Sequence, residues 1–146
     1  MIKKLSEAQI KEIAEMLDIG YHTCFVNPDT GEVEIVLNND ETLTYLEGEE
    51  EYNYIKVQLA RIDSWQRCIR IEKPESHDSF QIMKDFVDEI IPDGKLKEKF
   101  WNALSRSHPF RNFNAIVHNC DYREDWFKFK QAALEEYVKR ETSFEF

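Results

Sequence analysis

The chain has 146 residues, a formal net charge of −10, 42 % hydrophobic residues and 13 % aromatic ones. That length fits one domain over 1–146, and that much apolar side chain offsets the entropy of ordering, which excludes wholesale disorder. No apolar run approaches the roughly 20 residues that cross a bilayer, and Met1-Ile2-Lys3-Lys4-Leu5-Ser6-Glu7 lacks the apolar core of a secretory signal.

Ser6-Glu7-Ala8-Gln9 has the form of a capping box, and Ile10, Ile13, Ala14 and Leu17 follow as one helical stripe up to Gly20. A first helix is expected over about 6–19. Tyr21 to Val26 reads as a strand, Asn27-Pro28-Asp29-Thr30-Gly31 as a turn, and Glu32 to Leu37 as the returning strand. The alternation of Val33, Ile35 and Leu37 with Glu32 and Glu34 predicts a half-buried hairpin with the glutamates in water. The acidic run Glu47-Gly48-Glu49-Glu50-Glu51 opens a second helix with Tyr52, Ile55, Leu59 and Ile62 on one face. Cys68 to Ile71 is a short strand able to join the hairpin.

The rest reads as helix. Ser76 or Ser79 caps a third helix with Phe80, Met83, Val87, Ile90 and Ile91 inward, stopped by Pro92-Asp93-Gly94. Leu96, Phe100, Ala103 and Leu104 mark a fourth, with Trp101 one residue off that stripe and partly exposed. Pro109 starts a fifth, with Phe110, Phe113 and Val117 inward. Tyr122, Trp126, Phe129, Ala133 and Tyr137 define a long last helix. The sum is an α+β fold, a small antiparallel sheet of a hairpin plus one strand, covered by helices and followed by a helical C-terminal half.

Charge is uneven along the chain: residues 1–94 sum to −12, whereas residues 95–140 sum to +4. The acidic whole disfavours nonspecific binding to nucleic acid or anionic lipid. Three scattered cysteines, Cys24, Cys68 and Cys120, do not make a disulfide framework and fit a reducing, cytoplasmic setting.

Four glycines, none clustered, give no phosphate loop. His22-Thr23-Cys24 and His118-Asn119-Cys120 are two His-x-Cys pairs that could in principle furnish a Cys₂His₂ metal set. Their spacing is not a zinc pattern, so isolated buried thiols are the expectation, with neither metal nor cofactor. Nothing local lowers a thiol pKa, so no cysteine nucleophile and no catalytic residue is assigned.

The most distinctive segment is Ser105-Arg106-Ser107-His108-Pro109-Phe110-Arg111-Asn112-Phe113, where two arginines and a histidine gather at a helix entrance, a place that holds anions. His108, Arg111, Arg106 and Trp126 are the candidate ligand-binding residues. Against this stands a structural role for Arg111, with Phe110 and Phe113 in the core. The basic–aromatic run Trp126-Phe127-Lys128-Phe129-Lys130 offers a stacking surface for single-stranded nucleic acid, although an ordinary amphipathic helix explains it better.

Across Ile10-Lys11-Glu12-Ile13-Ala14, Asn27-Pro28-Asp29-Thr30-Gly31-Glu32, Phe80-Gln81-Ile82-Met83-Lys84-Asp85-Phe86, Ala103-Leu104, Pro109-Phe110-Arg111-Asn112-Phe113 and Trp126-Phe127-Lys128-Phe129-Lys130, the chain resembles the bacterial uncharacterised protein family UPF0158. The resemblance implies a bacterial cytoplasmic protein and carries no catalytic residues with it. The leading expectation is a non-enzymatic binding or regulatory module with a protein partner met through Glu47–Glu51. A small-anion binder or enzyme around His108 and Arg111 is the alternative, and a nucleic-acid binder the second. If His108 and Arg111 line a concave pocket, the anion reading gains.

Overall fold

Helix α1 (Glu7–Ile19) begins where the capping box places it: Gln9 N–H donates to Ser6 Oγ at 3.1 Å and Ser6 N–H donates to Gln9 Oε1 at 3.0 Å. It ends at Gly20, whose φ of 89° is the left-handed conformation that glycine reaches without a Cβ clash. A computed structural model describes residues 4–38 and 50–143. The remaining elements, in chain order, are β1 (His22–Val26), β2 (Val33–Leu37), α2 (Glu50–Asp63), β3 (Ile69–Ile71), α3 (Ser76–Ile90), α4 (Lys95–Leu104), α5 (Pro109–Val117) and α6 (Arg123–Glu141). The chain divides into two compact units, Met1–Lys73 with Leu134–Phe146, and Pro74–Ala133.

The first unit holds the sheet, in the order β2-β1-β3 with both pairings antiparallel. The hairpin turn is fixed by an Asx bond from Asp29 N–H to Asn27 Oδ1, 2.9 Å, and by Gln9 Nε2 donating to Gly31 O at 3.0 Å. One face of the sheet, Cys24, Val26, Ile69 and Ile71, packs on Ile10, Ile13, Ala14 and Leu17 of α1 and on Leu134 and Val138 of α6.

The other face is covered as well. Val36 packs with Ile55 and Ile62 of α2, and Phe25 and Trp65 close the cluster. This overturns two expectations from the pattern. Glu34 is buried, not solvated, and its carboxylate is ion-paired with Arg61 of α2. Gln58, not Leu59, faces inward: it is 4 % exposed and its Nε2 donates to Ile35 O at 3.0 Å, whereas Leu59 is 44 % exposed. The bond from helix to strand sets the helix's rotation. The expected residues 47–49 of this helix lie outside the described residues.

The second unit is helical. Glu75 precedes α3 as its N-cap without a side-chain bond, so neither Ser76 nor Ser79 caps it. Its core is aromatic. The Phe113 ring meets Trp126 at 4.7 Å, Phe100 at 5.3 Å and Phe86 at 6.2 Å, and Phe86 also meets Trp126 at 5.2 Å. All but the tilted Phe100–Phe113 pair meet edge-on, and such pairs add about 0.5–1.5 kcal/mol beyond their area burial. Ile90 is exposed because Ile91, just past the helix, takes the inward place. Phe110 stays at the surface, edge-on to Phe80 at 6.3 Å. Trp101 is partly exposed, as its offset from the stripe implies.

Candidate functional site

Helices α4 and α5 each spend one face on that core. Phe100 and Leu104 of α4 and Phe113 and Val117 of α5 are buried in it. The adjoining faces carry Lys95, Lys99 and Asn102 on α4 and Arg111 and Ala115 on α5, at helical spacings that stack each set in a row. Between the rows lies a cleft of about 630 Å³. Such a volume suits a small organic molecule.

The turn joining the helices completes the cleft with Arg106, Ser107 and His108. Its shape comes from two local devices. Asn112 Nδ2 donates to Ser107 O at 2.9 Å and to Ala103 O at 3.3 Å, tying the start of α5 to the end of α4. His108, the N-cap of α5, takes φ 59° and ψ 50°, the only positive φ at a non-glycine among the described residues. A left-handed residue other than glycine costs roughly 1–2 kcal/mol. Pro109 then occupies the first helical position, where no N–H is needed.

Electrostatically the cleft is lopsided. Lys95, Lys99, Arg106 and Arg111 line it against a single carboxylate, Glu98. Among the described residues none of these four cations is in an ion pair. Paired cations lie elsewhere, among them Arg61 with Glu34, Arg67 with Asp29, Arg70 with Glu72, Lys97 with Asp93 and Lys139 with Glu136. The cleft's apolar lining residues are Ala103, Ala115 and Ile116.

Of the four candidate residues, the structure brings together Arg106, His108 and Arg111. Trp126 is placed apart from them, in the aromatic core and 4 % exposed. Nothing in the sequence marks Lys95 and Lys99 as site residues. Two lysines at i and i+4 read as an ordinary solvated face, and only the packing of α4 against α5 turns that face into a wall.

Among the described residues no group of three or more His, Cys, Asp or Glu is placed to hold an ion. Cys24 sits in the core of the first unit, and burial, with the Glu12 carboxylate nearby, pushes its thiol up to about 12, far from a nucleophile's range. Burial also raises the Cys68 thiol.

The aromatic faces of α6 are already covered. Arg123 lies 5.1 Å and Lys130 5.7 Å from the Phe127 ring, Lys130 lies 5.6 Å from Trp126, and the His118 ring is 5.7 Å from Phe127. A base would have to displace these side chains before stacking. No helix among the described residues is long and apolar enough to cross a membrane. Of the acidic run, only Glu50 and Glu51 are described, both exposed in the first turn of α2.

A family model described as "Uncharacterised protein family (UPF0158)" matches residues 36–141. No curated protein matches the chain, and no solved structure does.

Proposed function

The chain belongs to the UPF0158 family, and from this member's own geometry we propose that it is a non-enzymatic binding module whose α4–α5 cleft takes a small, multiply charged anion bearing phosphate or carboxylate groups. The observation that carries this reading is the convergence of Lys95, Lys99, Arg106 and Arg111 on one concave surface with no carboxylate paired to any of them among the described residues. Four cations gathered against one carboxylate repel one another, and an anionic ligand relieves that repulsion. Arginine adds a planar fork of donors matched to phosphate and carboxylate oxygens.

His108 supports the same reading. Glycine is the cheaper residue at a left-handed N-cap, yet the chain keeps an imidazole there and lines the cleft with it.

The test is thermal unfolding with inorganic phosphate, pyrophosphate and citrate, at ionic strength held constant with chloride. A ligand that binds only the folded chain stabilises it by about 2.7 kcal/mol at 100 times its dissociation constant. A rise in melting temperature is expected with at least one of these anions, and its loss in the double variant Arg106→Ala, Arg111→Ala. Equal melting temperatures in chloride and in all three anions would overturn the reading.

A further inference from the structure

The cations that line the cleft come from two stretches of chain. Lys95 and Lys99 sit on the first turns of α4, with Glu98 between them, whereas Arg106 and Arg111 flank the turn into α5. Along the axis of α4, Lys95 and Lys99 stand nine and five positions before its last residue, Leu104, or roughly 13 and 7 Å at the helical rise of about 1.5 Å per residue, and Arg106 lies in the turn beyond that end. Between the two poles the lining includes Ala103, Ala115 and Ile116, which can hydrogen-bond through no side chain, beside Asn102, which can.

The poles also differ in chemistry. The arginine pole has two planar forks and no carboxylate, which suits a dianionic, tetrahedral group such as a phosphate. The lysine pole has two point charges offset by Glu98, which suits a single negative charge. A free phosphate or pyrophosphate fills the first and leaves the second empty.

We infer that the cleft takes a two-headed ligand: an organic phosphate seated at Arg106 and Arg111, whose far end carries a carboxylate held by Lys95 and Lys99, with a short apolar body over Ala103, Ala115 and Ile116. This rests on the anion-binding reading and adds ligand length and polarity to it. The second head supplies its binding without a second loss of translational freedom, so affinity depends on the spacing of the two charges.

Isothermal titration with ω-phosphonoalkanoates tests this, because one series varies only the separation of a phosphonate and a carboxylate. Phosphonohexanoate, whose charges lie near the pole separation, is expected to bind at least about tenfold more tightly than inorganic phosphate or phosphonopropionate. Phosphonoundecanoate overshoots and is expected to lose that gain. The double variant Lys95→Ala, Lys99→Ala changes only exposed helix positions. It is expected to bring phosphonohexanoate down to that variant's own affinity for inorganic phosphate, so that the preference for the longer ligand disappears. Glu98→Gln is expected to tighten phosphonohexanoate more than it tightens phosphate. Phosphate binding with no dependence on chain length, or a lysine variant that still prefers phosphonohexanoate, would overturn the two-headed ligand and leave the anion site standing. Failure of every compound to bind the wild type would overturn both.

Discussion

The side-chain amide of Asn112 holds the carbonyl of Ser107 at 2.9 Å, and so fixes the turn that presents Arg106 and His108 to the cleft. The same amide reaches Ala103 O at 3.3 Å, a carbonyl in the last turn of α4 that would otherwise end without a partner from the helix. Asn112 is therefore a fastener of the site and not a ligand contact through that amide.

Asn112→Ala is expected to cost about 1–2 kcal/mol, the net value of two hydrogen bonds. Guanidinium unfolding measures that loss. Amide hydrogen exchange locates it, since residues 105–108 should lose protection ahead of the helix interiors. Anion affinity should fall as well, because the two arginines then face a turn with more than one arrangement. A variant that unfolds earlier but exchanges evenly throughout would mean the bonds do not fasten the turn.

The two phenylalanines of Pro109-Phe110-Arg111-Asn112-Phe113 behave differently despite their i, i+3 spacing. Phe113 is wholly buried among Phe86, Phe100 and Trp126, whereas Phe110 is 38 % exposed. Phe113→Ala is expected to cost about 3–5 kcal/mol, with Phe113→Leu costing less. Phe110→Ala is expected to stay within about 1 kcal/mol. Chemical denaturation of the three variants checks the contrast, and equal losses from Phe110→Ala and Phe113→Ala would contradict the packing.

Much of this architecture is legible in the chain. Ser6 and Gln9 announce α1, Asn27 to Gly31 announces the hairpin, and the Arg106–Arg111 cluster marks one end of the cleft, because each is a local device whose partners lie within a few residues. The failures are tertiary. Glu34 reads as solvated until α2 covers the second face of the sheet. Leu59 reads as core until Gln58 claims Ile35 O. Phe110 fits the stripe of α5 but lies beyond the reach of the Phe86–Phe100–Trp126 cluster. Lys95 and Lys99 resemble any exposed helix face until a second helix stands opposite them.

The Glu34–Arg61 pair predicts an asymmetry. Glu34's side chain is 10 % exposed and Arg61's is 48 % exposed. Removing the arginine strands a buried carboxylate, whereas removing the carboxylate leaves a guanidinium that water can reach. Arg61→Met is expected to cost about 1–2 kcal/mol and Glu34→Gln less than half of that. A double-mutant cycle by denaturant unfolding gives the coupling. Equal single losses would show that the pair acts as an exposed bridge.

His22 gives the fold a pH dependence with a definite sign. Among the described residues its buried Nδ1 has no hydrogen-bond partner, and burial lowers its pKa below the ordinary value of 6.5. The folded state therefore disfavours the imidazolium, and the unfolded chain binds more protons between the lowered value and 6.5. Stability attributable to His22 is complete above that ordinary value and declines as pH falls toward and through the folded value. His22→Leu removes both the titration and the unpartnered nitrogen. The variant is expected to be at least as stable as the wild type at neutral pH, by up to about 1 kcal/mol, and its advantage should widen as the solution is acidified below about 6.5. Urea unfolding of both chains across pH 8 to 5 measures the difference directly, with the remaining histidines common to the pair. A gap that stays constant or narrows on acidification would mean that the imidazole titrates in the folded chain as it does in water.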